Sequence, residues 1–217
     1  MKLPYCIVRF ENEEVNPRMA SKIRGFFANK YKGEEILHNH QNEKFIYRYP
    51  LVQYKVVKGV PMIVGIKEGA KKVQNLGIIT DELILEGNKH EVFQKTVETQ
   101  EQEISTLKKY KHYRFESPWI ALNQKNIEKY RRSTPWEKEE ILKKILIGNI
   151  LSLAKGLNYK IEEEIHCWLN VQPCEVNIKN IKMQGFKGSF RTNVALPDFL
   201  GIGRSVAKGF GTIKEVS

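Results

Sequence analysis

Leu200-Gly201-Ile202-Gly203-Arg204-Ser205-Val206-Ala207-Lys208-Gly209-Phe210-Gly211 lies near the end of the chain. Four glycines stand there as two G-x-G pairs with five residues between them, Arg204 and Lys208 among the five. Glycine reaches positive φ without steric cost and lets backbone N–H groups approach a partner closely. Successive exposed N–H groups form an anion nest, and a helix N-terminus adds to it. The stretch predicts a phosphate-binding loop, a short basic helix and a last strand from Phe210 to Val216. Its candidate phosphate contacts are Gly201, Gly203, Arg204, Lys208, Gly209 and Gly211. A dinucleotide fingerprint does not fit, because the third glycine it needs is Val206. A P-loop does not fit either, because Gly209 and not Ser or Thr follows Lys208. A plain flexible turn before a last strand is the alternative, and it suits one G-x-G better than the doubled pattern with interleaved cations.

Working outward, 217 residues suit one large domain or two small ones. A hydrophobic content of 41% is ordinary for a soluble globular protein. Lys and Arg number 36 against 25 Asp and Glu, a formal charge of +11. That excess points to a polyanion, nucleic acid first and a membrane surface second, with solubility as the plain alternative. No stretch has the length and apolarity of a membrane-spanning helix. A strand pattern begins at Tyr5, so no signal peptide is expected. Cys6, Cys167 and Cys174 fit no zinc spacing and leave an odd count, as reduced thiols in a cytosolic protein would.

From the start, Tyr5 to Phe10 reads as a strand. Asn16-Pro17 supplies an N-cap and a first-turn proline for a helix with Met19, Ala20, Ile23, Phe26, Phe27 and Tyr31 at helical spacing. Gly33 is its expected stop. Phe45 to Val57 is strongly β-forming, and Pro50 argues for an edge or a bulge. Pro61–Ile66 reads as a strand, Gly69–Leu76 as a helix and Leu83–Leu85 as a short strand, completing β-α-β-β-α-β, the ferredoxin-like unit. Polar residues 98–111 suggest a linker or exposed hairpin. Tyr113–Phe115 and Trp119–Leu122 restart strand chemistry. Thr134-Pro135-Trp136-Glu137 is a capping box before a wide apolar face, Ile141 to Leu157. Val176–Lys179 and Phe186–Leu196 read as a strand pair carrying Lys179, Lys182, Lys187 and Arg191. The second half thus repeats the element order of the first.

Gly201-Ile202-Gly203, five residues, then Gly209-Phe210-Gly211 resembles the glycine-rich signature that closes the CRISPR-associated endoribonucleases that cut repeat RNA into guide units. Leu37-His38-Asn39-His40 followed by Tyr47 to Lys55 is similar to the subgroup with paired histidines after the first helix. The resemblance spans Tyr5 to Val216. It implies an α+β fold of tandem ferredoxin-like (RRM-like) domains. Residues 1–105 would carry the catalytic candidates, and residues 106–217 the basic hairpin and glycine loop.

Metal-free RNA cleavage needs a base for the 2′-OH proton, an acid for the leaving 5′-oxygen, and cations or N–H donors against the developing charge. Histidine, with an unperturbed pKa of about 6.5, suits both proton transfers. His38 and His40 share a face if their segment is extended. By resemblance, His40 is the general acid/base, with His38 for proton transfer, Tyr47 for phosphate orientation and Lys30 for charge stabilisation. The alternatives are two surface histidines or a zinc pair, and no nearby Cys or carboxylate completes a zinc set. His90, His112 and His166 read as ordinary residues, Tyr47, Tyr49 and Tyr54 mostly as core, and Cys167-Trp168 as packing. Lys179, Lys182, Lys187 and Arg191 are candidates for RNA-backbone contacts, which position a strand without reading its sequence.

The implied function is a metal-independent endoribonuclease acting on CRISPR repeat RNA, leaving 5′-OH and 2′,3′-cyclic phosphate ends. A non-cleaving RNA-binding subunit of a CRISPR effector is the alternative, and a general RNA chaperone the third. No cofactor is implied. Repeat RNA is the expected partner, with effector subunits and a second copy of the chain as further candidates, in the cytoplasm and away from membranes.

Overall fold

In a computed structural model the description covers residues 1–38, 40, 41, 44, 45, 49–178 and 181–216, with the backbone alone for 38–45. The chain divides into two compact units. One holds Lys2–Glu103 and, from far along the chain, Val206–Gly209; the other holds Met1, Ile104–Ser205 and Phe210 onward.

The N-terminal unit runs β1 (Lys2–Phe10), a 3-10 turn (Pro17–Met19), α1 (Ala20–Lys30), α2 (Glu35–His38), β2 (His40–Gln41), β3 (Lys44–Phe45), β4 (Val52–Val57), β5 (Val60–Ile66), α3 (Glu68–Ile79), β6 (Glu82–Leu85), β7 (Asn88–Glu91) and β8 (Lys95–Glu103). Its sheet order is β4-β5-β1-β8, antiparallel throughout. The first helix starts where the cap predicts: Asn16 Oδ1 accepts from the Arg18 amide at 3.0 Å and Pro17 opens the turn. Ala20, Ile23 and Phe27 form the buried stripe of α1. The start of α3 lies so close to the sheet that only glycine fits. A Cβ on Gly69 would stand 2.3 Å from the Leu51 carbonyl oxygen, and one on Gly65 would stand 2.4 Å from that of Gly69.

The fourth strand of this sheet is not the one expected. Leu83–Leu85 falls in β6, which pairs with β7 in a separate hairpin. The fourth place belongs to β8, at the start of the stretch expected as a linker, and β8 pairs with β1 from Lys2↔Glu103 to Phe10↔Lys95. An edge strand with mostly exposed side chains needs no apolar alternation, so backbone pairing decides it and composition hides it.

The C-terminal unit runs β9 (Ser105–Phe115), α4 (Ile127–Arg132), α5 (Pro135–Gly156), β10 (Cys167–Ile178), β11 (Ile181–Ala195) and β12 (Ile213–Glu215). Its sheet order, β10-β11-β9-β12, places successive strands as in the first sheet. Both units are therefore ferredoxin-like, and the fold class is α+β. The second helix of the pattern is missing here, and the 3-10 turn Val206–Lys208 stands at that point in the order. Trp119–Leu122 is buried but makes no strand, only a bridge between Trp119 and Phe186. The Trp119 indole lies parallel to Phe115 at 5.5 Å and donates from Nε1 to Asn149 Oδ1 at 3.0 Å. The capping box of α5 forms as read, with the Thr134 amide donating to Glu137 Oε2 at 2.8 Å and the Glu137 amide to Thr134 Oγ1 at 3.4 Å. Leu142, Leu146, Ile150 and Leu153 are its buried face. No helix among the described residues is long and apolar enough to cross a membrane.

These contacts set a stability test. Thr134→Ala removes a cap and should cost about 1 kcal/mol in urea unfolding. Gly148→Ala, at an α5 position where a Cβ meets nothing within 4 Å, should gain about 0.5–1 kcal/mol.

Candidate functional site

β4 is an edge strand, yet all six of its residues are buried. An open edge would leave N–H and C=O groups unpaired. Here α1, α2 and the turn Val206–Lys208 pack against it. Tyr54 is fully buried and stacks on Phe27 at 5.7 Å. Its phenol donates to the Leu37 carbonyl at 3.2 Å, and burial raises its pKa, so it remains a donor. Leu37 is itself buried and directly precedes His38. Tyr54, read from sequence as core, thereby fastens the end of α2.

His38 closes α2 and His40 opens β2, where it pairs with Phe45. His38 is thus helical and His40 in a strand, so the two do not lie on one continuous extended segment. The side chains of His38 and His40, and all of Tyr47, lie outside the described residues. Lys30 ends α1, exposed, with Nζ 5.3 Å from the centre of the Phe26 ring.

Lys55, next to Tyr54, is not among the candidates the sequence offers. It is fully buried, and Nζ donates to the Val206 carbonyl at 3.1 Å. Desolvation pushes its pKa down from 10.5 to about 7. The available signal was a lysine inside Val52-Gln53-Tyr54-Lys55-Val56-Val57, a run otherwise suited to a buried strand. Gly209 seals the same contact: its φ is +90°, and a Cβ there would stand 2.7 Å from the Ala20 methyl.

The remaining glycines pack in the C-terminal unit. Gly201 bridges to Thr212, and the Ile202 amide donates to the Gly211 carbonyl at 2.8 Å. Gly211 has a φ of +62°, and a Cβ on it would fall 1.9 Å from the Ile202 oxygen. A Cβ on Gly203, at φ +95°, would stand 2.7 Å from the Trp119 indole. The Arg204, Gly209 and Gly211 amides donate to the carbonyls of Ile120, Val206 and Pro118. The open amide nest expected here is corrected accordingly: these amides, with that of Ile202, are engaged inside the chain. The expected basic helix is one 3-10 turn, and the last strand is shortened to Ile213–Glu215. Arg204 is exposed and donates from Nη1 to the Leu122 carbonyl at 3.2 Å, while Lys208 is half-buried.

On the β10-β11 hairpin, Lys182 pairs with Glu175 at 3.2 Å, Lys187 and Arg191 are exposed, and Lys179 lies outside the described residues. Cys167 is packed as expected, but Trp168 is half exposed, which corrects its assignment to packing. His90 is held by Glu13, Nδ1 to Oε2 at 2.7 Å. Among the described residues no cluster of three or more His, Cys, Asp or Glu is arranged to hold a metal ion.

Residues 1–103 match the Cas6b N-terminal domain family and residues 105–216 the Cas6b C-terminal domain family. A solved structure described as Cas6b is 41% identical, with a TM-score of 0.96 and all of both chains covered. Another, described as the CRISPR RNA processing endoribonuclease Cas6b, is 36% identical with a TM-score of 0.82, again over all of both chains. An uncharacterized protein of Methanocaldococcus jannaschii is 40% identical over 136 residues, 62% of this chain and 92% of its own length.

Glycine packing and the buried lysine each set a test. Gly211→Ala should lower stability by more than about 2 kcal/mol, since backbone and not a movable side chain occupies the space. Gly33→Ala, where a Cβ meets nothing within 4 Å, should stay within about 0.5 kcal/mol of wild type. For Lys55, between pH 7 and 10.5 the unfolded chain holds the proton and the folded chain does not, so this group makes stability rise with pH in that window. The melting temperature of wild type relative to Lys55→Met should therefore climb from neutral pH to pH 10, and a flat difference would contradict a depressed lysine.

Proposed function

The chain belongs to the Cas6b family, and from that premise we propose that it is an endoribonuclease that cleaves CRISPR repeat RNA to release guide units. The observation that supports this most directly is on β4. Consecutive residues of one strand, Tyr54 and Lys55, hold the helix that ends at His38 and the turn that carries Lys208. That the helix ending at His38 and the turn carrying Lys208 are both fastened to β4 supports a role for the two segments in one site.

In the proposed reaction the 2′-OH gives up its proton to a base, and the 2′-oxygen attacks the adjacent phosphorus. The bond from phosphorus to the 5′-oxygen breaks, and that oxygen takes a proton from an acid. The products are a 5′-OH and a 2′,3′-cyclic phosphate. His40 is assigned as the principal acid/base and His38 as its partner in proton transfer. Tyr47 orients the phosphate, and Lys30 opposes charge on the phosphorane. Arg204 and Lys208, with Lys179, Lys182, Lys187 and Arg191, hold the strand by its phosphates. The catalytic groups belong to residues 1–105 and the strand-holding cations to 106–217. No step calls for a metal.

The test is incubation of the organism's own repeat RNA with the protein in EDTA. Cleavage should persist, disappear with a single 2′-deoxy substitution at the cut site, and fall by at least about a hundredfold in His40→Ala, with binding retained. Tight binding without product from wild-type protein would instead favour a non-cleaving RNA-binding subunit.

A further inference from the structure

The sheet of the C-terminal unit has two unlike faces. Residues of one face, Cys167, Phe190, Thr192, Tyr113 and Phe115, are buried, and α5 packs against β10. The other face is open. Register places Trp168, Arg191 and His112 side by side across β10, β11 and β9, since directly opposed residues of antiparallel strands share a face. Tyr110, two residues before His112, meets Trp168 edge to face with ring centres 4.6 Å apart. Trp168 is 50% exposed and Tyr110 53%, although rings of this size normally find cover. His166 stacks along Trp168 at 6.5 Å. A cavity of about 510 Å³ opens on this face, lined by Tyr110, His112, Trp168, Asn170, Ser189 and Arg191.

Within the three strands the charged residues of this face are basic. From Trp168 to Cys174 on β10, Lys187 to Arg191 on β11, and Tyr110 to Arg114 on β9, alternate residues include Lys187, Arg191 and Arg114 and no carboxylate. Arg114 is paired with Glu116, while Arg191 makes no ion pair among the described residues. Exposed aromatic rings beside unpaired cations suit unstacked bases and their phosphates. A duplex does not suit it, because paired bases hide their faces and the deep groove of A-form RNA excludes side chains.

We propose that this open face is a stacking platform for an unpaired segment of the RNA, with Trp168 and Tyr110 as the rings that bases lie on. Arg191 holds the phosphate between them, and His112 and Asn170 meet base edges. The platform rests on the reading of the protein as one that binds repeat RNA, and it adds the site that takes the unpaired part.

Tryptophan emission tests it separately from cleavage. Of the three tryptophans, Trp119 is buried, so in a Trp136→Phe background the exposed emission comes from Trp168. The probes are repeat RNA blocked by a 2′-deoxy at the cut site, an oligo-A strand, and a fully paired RNA duplex. Both single strands should quench Trp168, and the duplex should not. Trp168→Ala should raise Kd for single strands roughly tenfold or more, while Trp168→Phe stays within about threefold. With uncut repeat RNA as substrate, Trp168→Ala should raise KM and leave kcat unchanged, because the contact is the same in ground and transition states. Quenching together with a tenfold loss, in protein that cuts nothing, would remove the nuclease and leave the platform. Normal cleavage with no quenching, and an affinity for Trp168→Ala within about twofold of wild type, would remove the platform and leave the nuclease. Equal quenching by duplex would also overturn it. So would a smaller sedimenting species for Trp168→Ala at unchanged RNA affinity, which would mark an interface between copies of the chain.

Discussion

Two neighbouring side chains on one strand carry the organisation of the N-terminal unit. Tyr54 and Lys55 are both fully buried on β4, and each donates to a backbone carbonyl of a segment distant from the strand, Leu37 in one case and Val206 in the other. A buried polar group costs more unpaired than paired, so each side chain needs its segment in place. For Lys55 the requirement is stronger, because an ammonium in that position loses its hydration entirely. Its pKa falls to about 7 in consequence. The tail turn also covers the edge of a sheet that would otherwise present open backbone.

The glycines of the tail serve this arrangement before they serve any ligand. Gly209 admits Ala20, Gly203 admits the Trp119 indole, and Gly211 admits the Ile202 carbonyl. Each contact is one that a methyl group would close. A motif that looks like an anion nest in one dimension is in three dimensions a set of close approaches, and the amides of Ile202, Arg204, Gly209 and Gly211 bond within the chain. In the proposed function the cations between the glycines, Arg204 and Lys208, hold phosphate.

The open sheet face shows the opposite relation. Nothing in Cys167-Trp168, Tyr110 or His112 marks these residues as a group, because they lie on different strands and are brought side by side only by register. From sequence alone Cys167-Trp168 reads as packing, whereas Cys167 is buried and Trp168 half exposed. Strand alternation sends the two residues to opposite faces, and only the burial of each shows which face is which.

What the sequence by itself determined was local. The capping box at Thr134, the Asn16-Pro17 start and the apolar stripes of α1 and α5 follow from spacings of a few residues, as does the glycine signature. Hydrogen bonds and steric limits within one or two turns fix such features, so they are legible in one dimension. The tertiary structure decided what depends on distant partners. It made a strand of the polar run 95–103 by pairing it with β1, dropped the second helix of the C-terminal unit, and folded the tail onto the edge of β4. It also gave Lys55 a carbonyl to donate to. These outcomes rest on which backbone and side-chain groups meet across long stretches of chain, and no spacing along the chain records that.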